Sequence, residues 1–218
     1  MIIVIDGLSG SGKSSTAKAV SESLDIQYLD SGALYRAATW IWLEENKPDH
    51  KFLEILTSKD IQFEYKNRHF NIYVDSVDVS ADIRKQRIFD YVSNVAAMPV
   101  VRKFVNHLMR NAVKNREFIA DGRDLGSAVF PDADLKFFME ASLEVRARRR
   151  YDEFKSGGET ISFEDVKNNL RERDAADQSR DLDPLVKPAD ALVIDTTNKT
   201  FDEQVKEINT VIQDKLHL

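Results

Sequence analysis

Four β-branched residues, Ile2-Ile3-Val4-Ile5, run into Gly7-Leu8-Ser9-Gly10-Ser11-Gly12-Lys13-Ser14, and that junction leaves little choice of fold. An unbroken β-branched run of this length reads as a strand buried on both faces. The segment behind it fits G-x-x-x-x-G-K-[ST], the spacing of a phosphate-binding loop. Three glycines let the backbone curl until successive N–H groups point at one anion. The helix that follows, Ser15-Thr16-Ala17-Lys18-Ala19-Val20, brings the positive end of its dipole to the same point. Lys13 is spaced to reach the β- and γ-phosphates of a nucleotide, and Ser14 to offer its hydroxyl to Mg²⁺. With glycine at about 7% of ordinary composition, an unrelated Gly/Ser turn matches this spacing on the order of once in a hundred such chains.

At 218 residues, 42% hydrophobic and 31% charged, the chain has material for one sizeable core with a small inserted subdomain. A net charge of −6 argues against binding nucleic acid through a general basic surface, so no nucleic-acid partner is expected. Any anion site must then be a local cluster of arginines. The absence of cysteine removes disulfides, thiolate catalysis and cysteine metal sites, and fits a reducing compartment. His50, His69, His107 and His217 lack metal-ligand spacing and read as solvated or core side chains. No leader is read at the start and no apolar run is long enough to cross a bilayer. The expectation is a cytoplasmic monomer with no membrane partner.

Further along, Ile26-Gln27-Tyr28-Leu29 reads as a second strand that ends in Asp30-Ser31-Gly32-Ala33-Leu34-Tyr35-Arg36. Ser31 is expected to cap a helix reaching about Asn46, which sets Ser31 and Arg36 at the carboxyl edge of the sheet, where open α/β folds bind ligands. Between 60 and 80 the period changes to two, in Ile61-Gln62-Phe63-Glu64-Tyr65, Phe70-Asn71-Ile72-Tyr73-Val74 and Val77-Asp78-Val79, which predicts a small antiparallel sheet. One helical stretch is expected from Asp82 to Ala97, broken by Pro99, and another from Val100 to Asn115 carrying Arg102 and Arg110. Phe118-Ile119-Ala120 is a third strand, closed by Asp121-Gly122-Arg123-Asp124-Leu125-Gly126. Two carboxylates and an arginine at a strand's carboxyl end cost solvation that a structural turn would avoid. Leu135–Met139 and Ala191–Ile194 complete a parallel five-stranded sheet with right-handed crossovers.

The most basic stretch, Arg146-Ala147-Arg148-Arg149-Arg150, precedes Gly157-Gly158 and a helix from about Ser162 to Ser179. Arg173, Asp177 and Arg180, spaced by four and then three, are expected on one helical face. As surface pairs they would be worth only tenths of a kcal/mol. So many arginines in an acidic protein, with a glycine pair able to hinge a lid, point instead to a phosphate site. A phosphate loop with arginines but no histidine at a motif suits phosphoryl transfer to an acceptor that needs no general base. A nucleoside monophosphate is one, because its phosphate, with a second pKa of about 6, is itself the nucleophile.

Taken together, Gly7 to Ser14, Leu29 to Arg36, Ser93-Asn94-Val95-Ala96-Ala97 with Pro99 and Arg102, Ala120 to Gly126, Phe130-Pro131-Asp132-Ala133, Arg173-Asp174 and Pro184-Leu185-Val186 resemble bacterial cytidylate kinases along the whole chain. The resemblance implies an α/β nucleoside monophosphate kinase of the P-loop class: one domain over 1–218, with a core of 1–59, 91–147 and 170–218, a monophosphate-binding insert at about 60–90 and a short lid at about 148–169. It implies ATP as phosphoryl donor, CMP or dCMP as acceptor, and Mg²⁺. Gly7, Leu8, Ser9, Gly10, Ser11, Gly12, Lys13, Ser14 and Ser15 would bind the ATP phosphates. Ser31, Arg36, Arg123 and Arg180 would hold the acceptor phosphate, and Arg173 and Asp177 the ribose. Ser93, Arg102 and Asp124 would read cytosine. Lys13, Arg123, Arg180 and Arg150 would carry catalysis, with Ser14 on Mg²⁺ and Asp121 on substrate and on a metal-bound water. Leu8, Ser127 and Glu140 depart from residues common in the family, and none is a principal ligand. Two other readings stay open: a hydroxyl kinase of the shikimate-kinase type with Asp30 as general base, and a nucleotide-binding switch protein that turns over slowly without an acceptor.

Overall fold

The computed structural model describes residues 1–48, 51–114, 116–158 and 160–216; His50 and His217, and the expected helix end at Asn115, lie outside them. The chain begins with β1 (Ile2–Gly7), α1 (Lys13–Leu24), β2 (Gln27–Asp30), α2 (Ser31–Glu44) and α3 (Phe52–Ser58). Three short strands follow, β3 (Ile61–Lys66), β4 (His69–Val74) and β5 (Val77–Asp78), and then α4 (Gln86–Phe89), α5 (Val92–Ala97) and α6 (Pro99–Ala112). The remainder is β6 (Phe118–Gly122), β7 (Leu135–Glu140), α7 (Leu143–Ser156), α8 (Phe163–Gln178), β8 (Leu192–Asp195) and α9 (Phe201–Leu216).

Five strands form one sheet in the order β2-β6-β1-β7-β8, every pairing parallel. The β-branched opening run becomes the central strand because it is the one that can be sealed on both faces, and Ile3, Val4 and Ile5 are fully buried. Parallel pairing brings Gly7, Asp30, Asp121 and Glu140 to the same edge. That edge is where a ligand meets the loops.

The second sheet, β3-β4-β5, is antiparallel. Its first turn is Asn67-Arg68, both with positive φ (51° and 64°), the backbone of a tight hairpin whose twist matches its strands. Phe70, Ile72 and Val74 form its buried face. Phe70 and Tyr65 pack edge-on against Tyr28 of β2, with ring centroids 5.9 and 5.1 Å away. A third unit, the α7–α8 hairpin, has its own small core of Ala147, Val166 and Leu170.

Four local expectations are corrected. Asp30, not Ser31, caps α2: still extended at φ −88°, ψ 94°, it accepts from the Ala33 amide at 2.8 Å. Ser31 is the first helical residue, and its hydroxyl donates across the sheet edge to the Asp121 carbonyl at 2.6 Å. The stretch from Asp82 to Ala97 is not one helix but a 3₁₀ turn (Asp82–Arg84), α4 and α5. Ile83 and Ile88 are both buried, and five residues apart on a straight helix they would point about 140° away from each other, so the chain bends at Lys85 to bury both. Pro99 restarts rather than merely breaks the helix, as the first residue of α6. Finally, α8 ends at Gln178, so only Arg173 and Asp177 share its face; Arg180 lies in the loop beyond the Ser179 cap.

Gly7 is where the fold tolerates least. A Cβ there would lie 2.0 Å from the Met139 carbonyl oxygen, a backbone atom of β7, with φ at +153°. Gly7→Ala is expected to cost about 3 kcal/mol or more, lowering Tm by about 10 °C. Gly157→Ala, whose Cβ would meet its nearest neighbours at 3.4 and 3.6 Å, should change Tm little. Equal Tm for the two in a thermal melt would show that β1 is not clamped by β7 in this way.

Candidate active site

The phosphate loop leaves β1 and enters α1 with Gly10 and Gly12 in the left-handed region (φ 75° and 92°), so both glycines are required by the backbone itself. Lys13 is buried, and its Nζ donates to the Leu8 carbonyl at 3.1 Å. Burial, reinforced by Arg123, lowers its pKa to about 7, against the opposing pull of Asp121 and Asp177. The Ser14 hydroxyl donates to Asp121 Oδ2 at 2.5 Å, and the Tyr28 hydroxyl to Asp121 Oδ1 at 2.5 Å. Burial and the neighbouring Asp30 raise the Asp121 pKa, while Lys13, Ser14 and Tyr28 hold it down.

From the loop a cleft of about 990 Å³ runs across the carboxyl edge towards α5. Ser9, Gly10, Gly12, Lys13, Ser14 and Ser15 line one end of it. Asp121 and Arg123 line it beside the loop, Ser31, Arg36, Ser93 and Asp124 line it further on, and Arg150, Arg173, Asp177 and Arg180 border it from the α7–α8 hairpin and the loop that follows. Gly7, Leu8 and Ser11 belong to the loop but do not line the cleft. Nine cationic side chains and five carboxylates line it, a positive pocket in an acidic protein.

The arginines divide by partner. Arg123 donates from Nε to Asp177 at 2.9 Å and from an Nη to the Ser9 hydroxyl at 2.8 Å, tying α8 to the phosphate loop. Arg36 pairs with Asp30 at 3.3 Å, yet its Nε is buried with no hydrogen-bond partner. Arg180 lies 3.6 Å from Asp124 and 3.8 Å from Asp177, and both its Nε and Nη2 lack a partner. Such buried unmet donors beside a cleft are suited to an anion. Burial, with Arg123 next, depresses the Arg173 pKa to about 10, as expected where cations crowd before a phosphate arrives. Arg150 pairs with Glu153 at 2.8 Å on the exposed wall.

Arg146 does not reach the cleft. Buried, it bonds Asp174 at 2.5 Å and the Ser9 and Ala141 carbonyls at 2.9 Å each, while Asp174 accepts from the Ser9 amide at 3.0 Å. Arg148 lies over the Phe163 ring at 4.5 Å. The basic run thus supplies Arg149 and Arg150 to the cleft and spends the other two on packing. Arg102 is also buried, with its guanidinium bonded to Asp124, to Asp183 at 2.9 Å and to the Ala96 carbonyl at 3.4 Å.

Several buried acids escaped the reading of the sequence. Asp6 accepts from the Leu125 and Gly126 amides at 3.0 and 2.7 Å, anchoring the turn that carries Arg123 and Asp124. Burial raises its pKa to about 6. A lone aspartate at the end of an apolar strand was the available signal. Asp174, seen only as part of a motif, gave no sign of its pairing with Arg146 28 residues away, and the half-buried Asp183 gave no signal at all, since Arg102 lies 81 residues away.

Ser14 and Asp121 are hard oxygen donors side by side at the helix start, which suits Mg²⁺ held by one or two protein oxygens and completed by phosphates. Among the described residues no group of three or more His, Asp or Glu side chains forms an all-protein metal cage. Asp30, the base required for a hydroxyl acceptor, has one oxygen on the Ala33 amide and the other on Arg36.

Asp124 sets a pH test. Burial raises its pKa to about 6 from an ordinary 3.8, although Arg102 and Arg180 oppose the shift. The folded value lies above the unfolded one, so stability from this group is full below about pH 4 and is lost as pH rises through 6. Between pH 4.5 and 7.5, Asp124→Asn should gain on the parent by on the order of 1–3 kcal/mol, read from urea midpoints. A difference independent of pH would mean that Asp124 is already ionised at pH 4.5.

A model of the cytidylate kinase family matches residues 3–214. The chain is 39% identical over 214 residues to a cytidylate kinase from Caldanaerobacter subterraneus, covering 97% of this chain and 94% of that one. It is 40% identical to one from Clostridioides difficile, covering 95% and 96%. A bifunctional pantoate ligase/cytidylate kinase from Prochlorococcus marinus is 38% identical, over 99% of this chain and 43% of its own length. Among solved structures, an uncharacterized protein from Eubacterium ventriosum superposes with a TM-score of 0.53 at 15% identity over 98% of both chains, a likeness of fold alone. Matched by the family model almost from end to end, and by relatives at this identity along their length, the chain belongs to the cytidylate kinase family.

Proposed function

We infer that this protein is an ATP-dependent cytidylate kinase, transferring the γ-phosphoryl group of ATP to CMP or dCMP to give ADP and the diphosphate. The observation that carries this reading is one cleft with a phosphate loop at one end and, at the other, buried arginine donors without partners beside a buried carboxylate, Asp124. The first end fits a donor triphosphate. The second fits a phosphate attached to a base that offers an amino group.

Lys13 and the amides from Ser9 to Ser15 hold the donor phosphates. Ser14 and Asp121 would hold Mg²⁺, which when bound supplies charge neutralisation between the β- and γ-phosphates. Ser31, Arg36, Arg123 and Arg180 take the acceptor phosphate, and Arg173 and Asp177 the ribose. Asp124, with Ser93 and Arg102, discriminates cytosine. The cytosine amino group donates to Asp124; uracil presents an acceptor there, which a carboxylate oxygen repels instead of binding. The acceptor phosphate attacks in line, so the protein contributes positioning and charge rather than a base. We place the acceptor-binding unit in the small sheet with its neighbours, at about 60–90, and the lid in about 148–169, whose Arg149 and Arg150 close over the transferring group. A closed lid keeps water from replacing the acceptor. No described helix is long and apolar enough to cross a membrane, and we propose a cytoplasmic monomer acting on free nucleotides, without a nucleic-acid partner.

The test is ADP release from Mg-ATP with each nucleoside monophosphate, deoxycytidylate and shikimate offered singly. Turnover should be strongest with CMP and dCMP; acceptor-independent hydrolysis alone would overturn the reading in favour of a switch protein. Lys13→Ala should reduce kcat by at least about 10³-fold, the scale of a charge acting on the transition state, with an unchanged thermal melt.

A further inference from the structure

Asp183 belongs to none of the motifs and does not line the cleft, yet it is built into the base-reading corner from behind. Its Oδ2 accepts from Arg102 Nε at 2.9 Å and from Asn106 Nδ2 at 3.3 Å, and the Asn106 carbonyl in turn accepts from the Tyr35 hydroxyl at 3.2 Å. Asp183 sits in the left-handed region at φ 49°, a conformation that aspartate tolerates better than most residues. Arg102 is 1% exposed and has two carboxylates, Asp124 on the cleft side and Asp183 on the far side. One would satisfy its charge. The second therefore calls for an explanation.

Asp124 gives Oδ2 to Arg102 and keeps Oδ1, 3.6 Å from Arg180, for a cytosine amino group, so an arriving base shares this carboxylate with Arg102. With that carboxylate as its sole and shared partner, a buried guanidinium would be under-compensated, and buried charge without full compensation is among the costliest defects a protein interior can hold. We propose that Asp183 is a positioning residue for cytosine recognition: it keeps Arg102 neutralised and held by Nε, so that Asp124 can share its charge with the base while Arg102 holds Asp124 in place from behind the cleft. Because Asp183 lies in the loop after α8, three residues beyond Arg180, the same segment supports the phosphate end and the base end of the acceptor site. The inference rests on the reading of this cleft as a cytidylate site.

Equilibrium titrations of CMP, UMP and ATP against the parent, Asp183→Asn and Asp183→Ala test it. Asparagine keeps the volume and removes the charge, while alanine removes the bonds as well. Both should weaken CMP about tenfold and leave ATP within twofold. UMP should also stay within twofold, since uracil offers no amino group to share the Asp124 carboxylate with Arg102. A purely structural role would weaken CMP and UMP together, and that result, or unchanged CMP affinity in both variants, overturns the proposal. If the parent itself fails to prefer CMP over UMP, the cytidylate reading falls instead. Asp183 is 21% exposed, so both variants are expected to fold, which a thermal melt verifies.

Discussion

The carboxylate of Asp121 is the point on which the rest of the molecule turns. It accepts from Ser14 at the start of α1 and from Tyr28 of β2, while its own carbonyl takes the Ser31 hydroxyl at the start of α2. Tyr28 is also the ring on which the small sheet packs, through Tyr65 and Phe70. One acid thus joins the phosphate loop, two core strands, the helix bearing Arg36 and the inserted unit. Buried charge of this kind is stable only when its hydrogen bonds are met, and here both oxygens are.

Around that point the cleft is organised by which arginines are already satisfied. Arg146 is closed off by Asp174 and two carbonyls and contributes rigidity under the phosphate loop. Arg36 and Arg180 carry buried donors without partners, which costs stability and is the arrangement the proposed acceptor phosphate would complete. Asp6 plays the complementary part, using a buried carboxylate to fix two amides of the turn that carries Arg123 and Asp124. The protein invests burial in both signs of charge at one edge of the sheet, and the ligand completes the balance.

The inserted sheet and the α7–α8 hairpin stand on the two sides of this edge, each with an apolar core or face of its own. The hairpin meets the phosphate loop through polar pairs, Arg146 and Asp174 with Ser9 and Arg149 with Ser11, and its neighbours through Asp177 with Arg123 and Arg149 with Thr196. Polar seams of this sort separate and re-form at lower cost than a continuous core. Such a division suits a kinase that must admit two nucleotides and then exclude water.

Local signals in the chain were enough for the sheet and for the phosphate loop. A β-branched run ending in the glycine pattern determines β1 and the loop because sterics and hydrogen bonding act within a few residues there, and period-two alternation determines the small sheet for the same reason. The residues lining the cleft were legible wherever they stood in a compact motif, as in Asp30 to Arg36 and Asp121 to Gly126. What only the tertiary structure decided was pairing across distance: that Asp30 rather than Ser31 caps α2, that Ile83 and Ile88 bend a helix between them, that Arg146 is packing while Arg180 keeps buried donors without partners. Asp6, Asp174 and Asp183 carry their roles solely through partners brought near by the fold. A charged side chain's meaning depends on what desolvates it and what neutralises it, and neither is written in its neighbours along the chain.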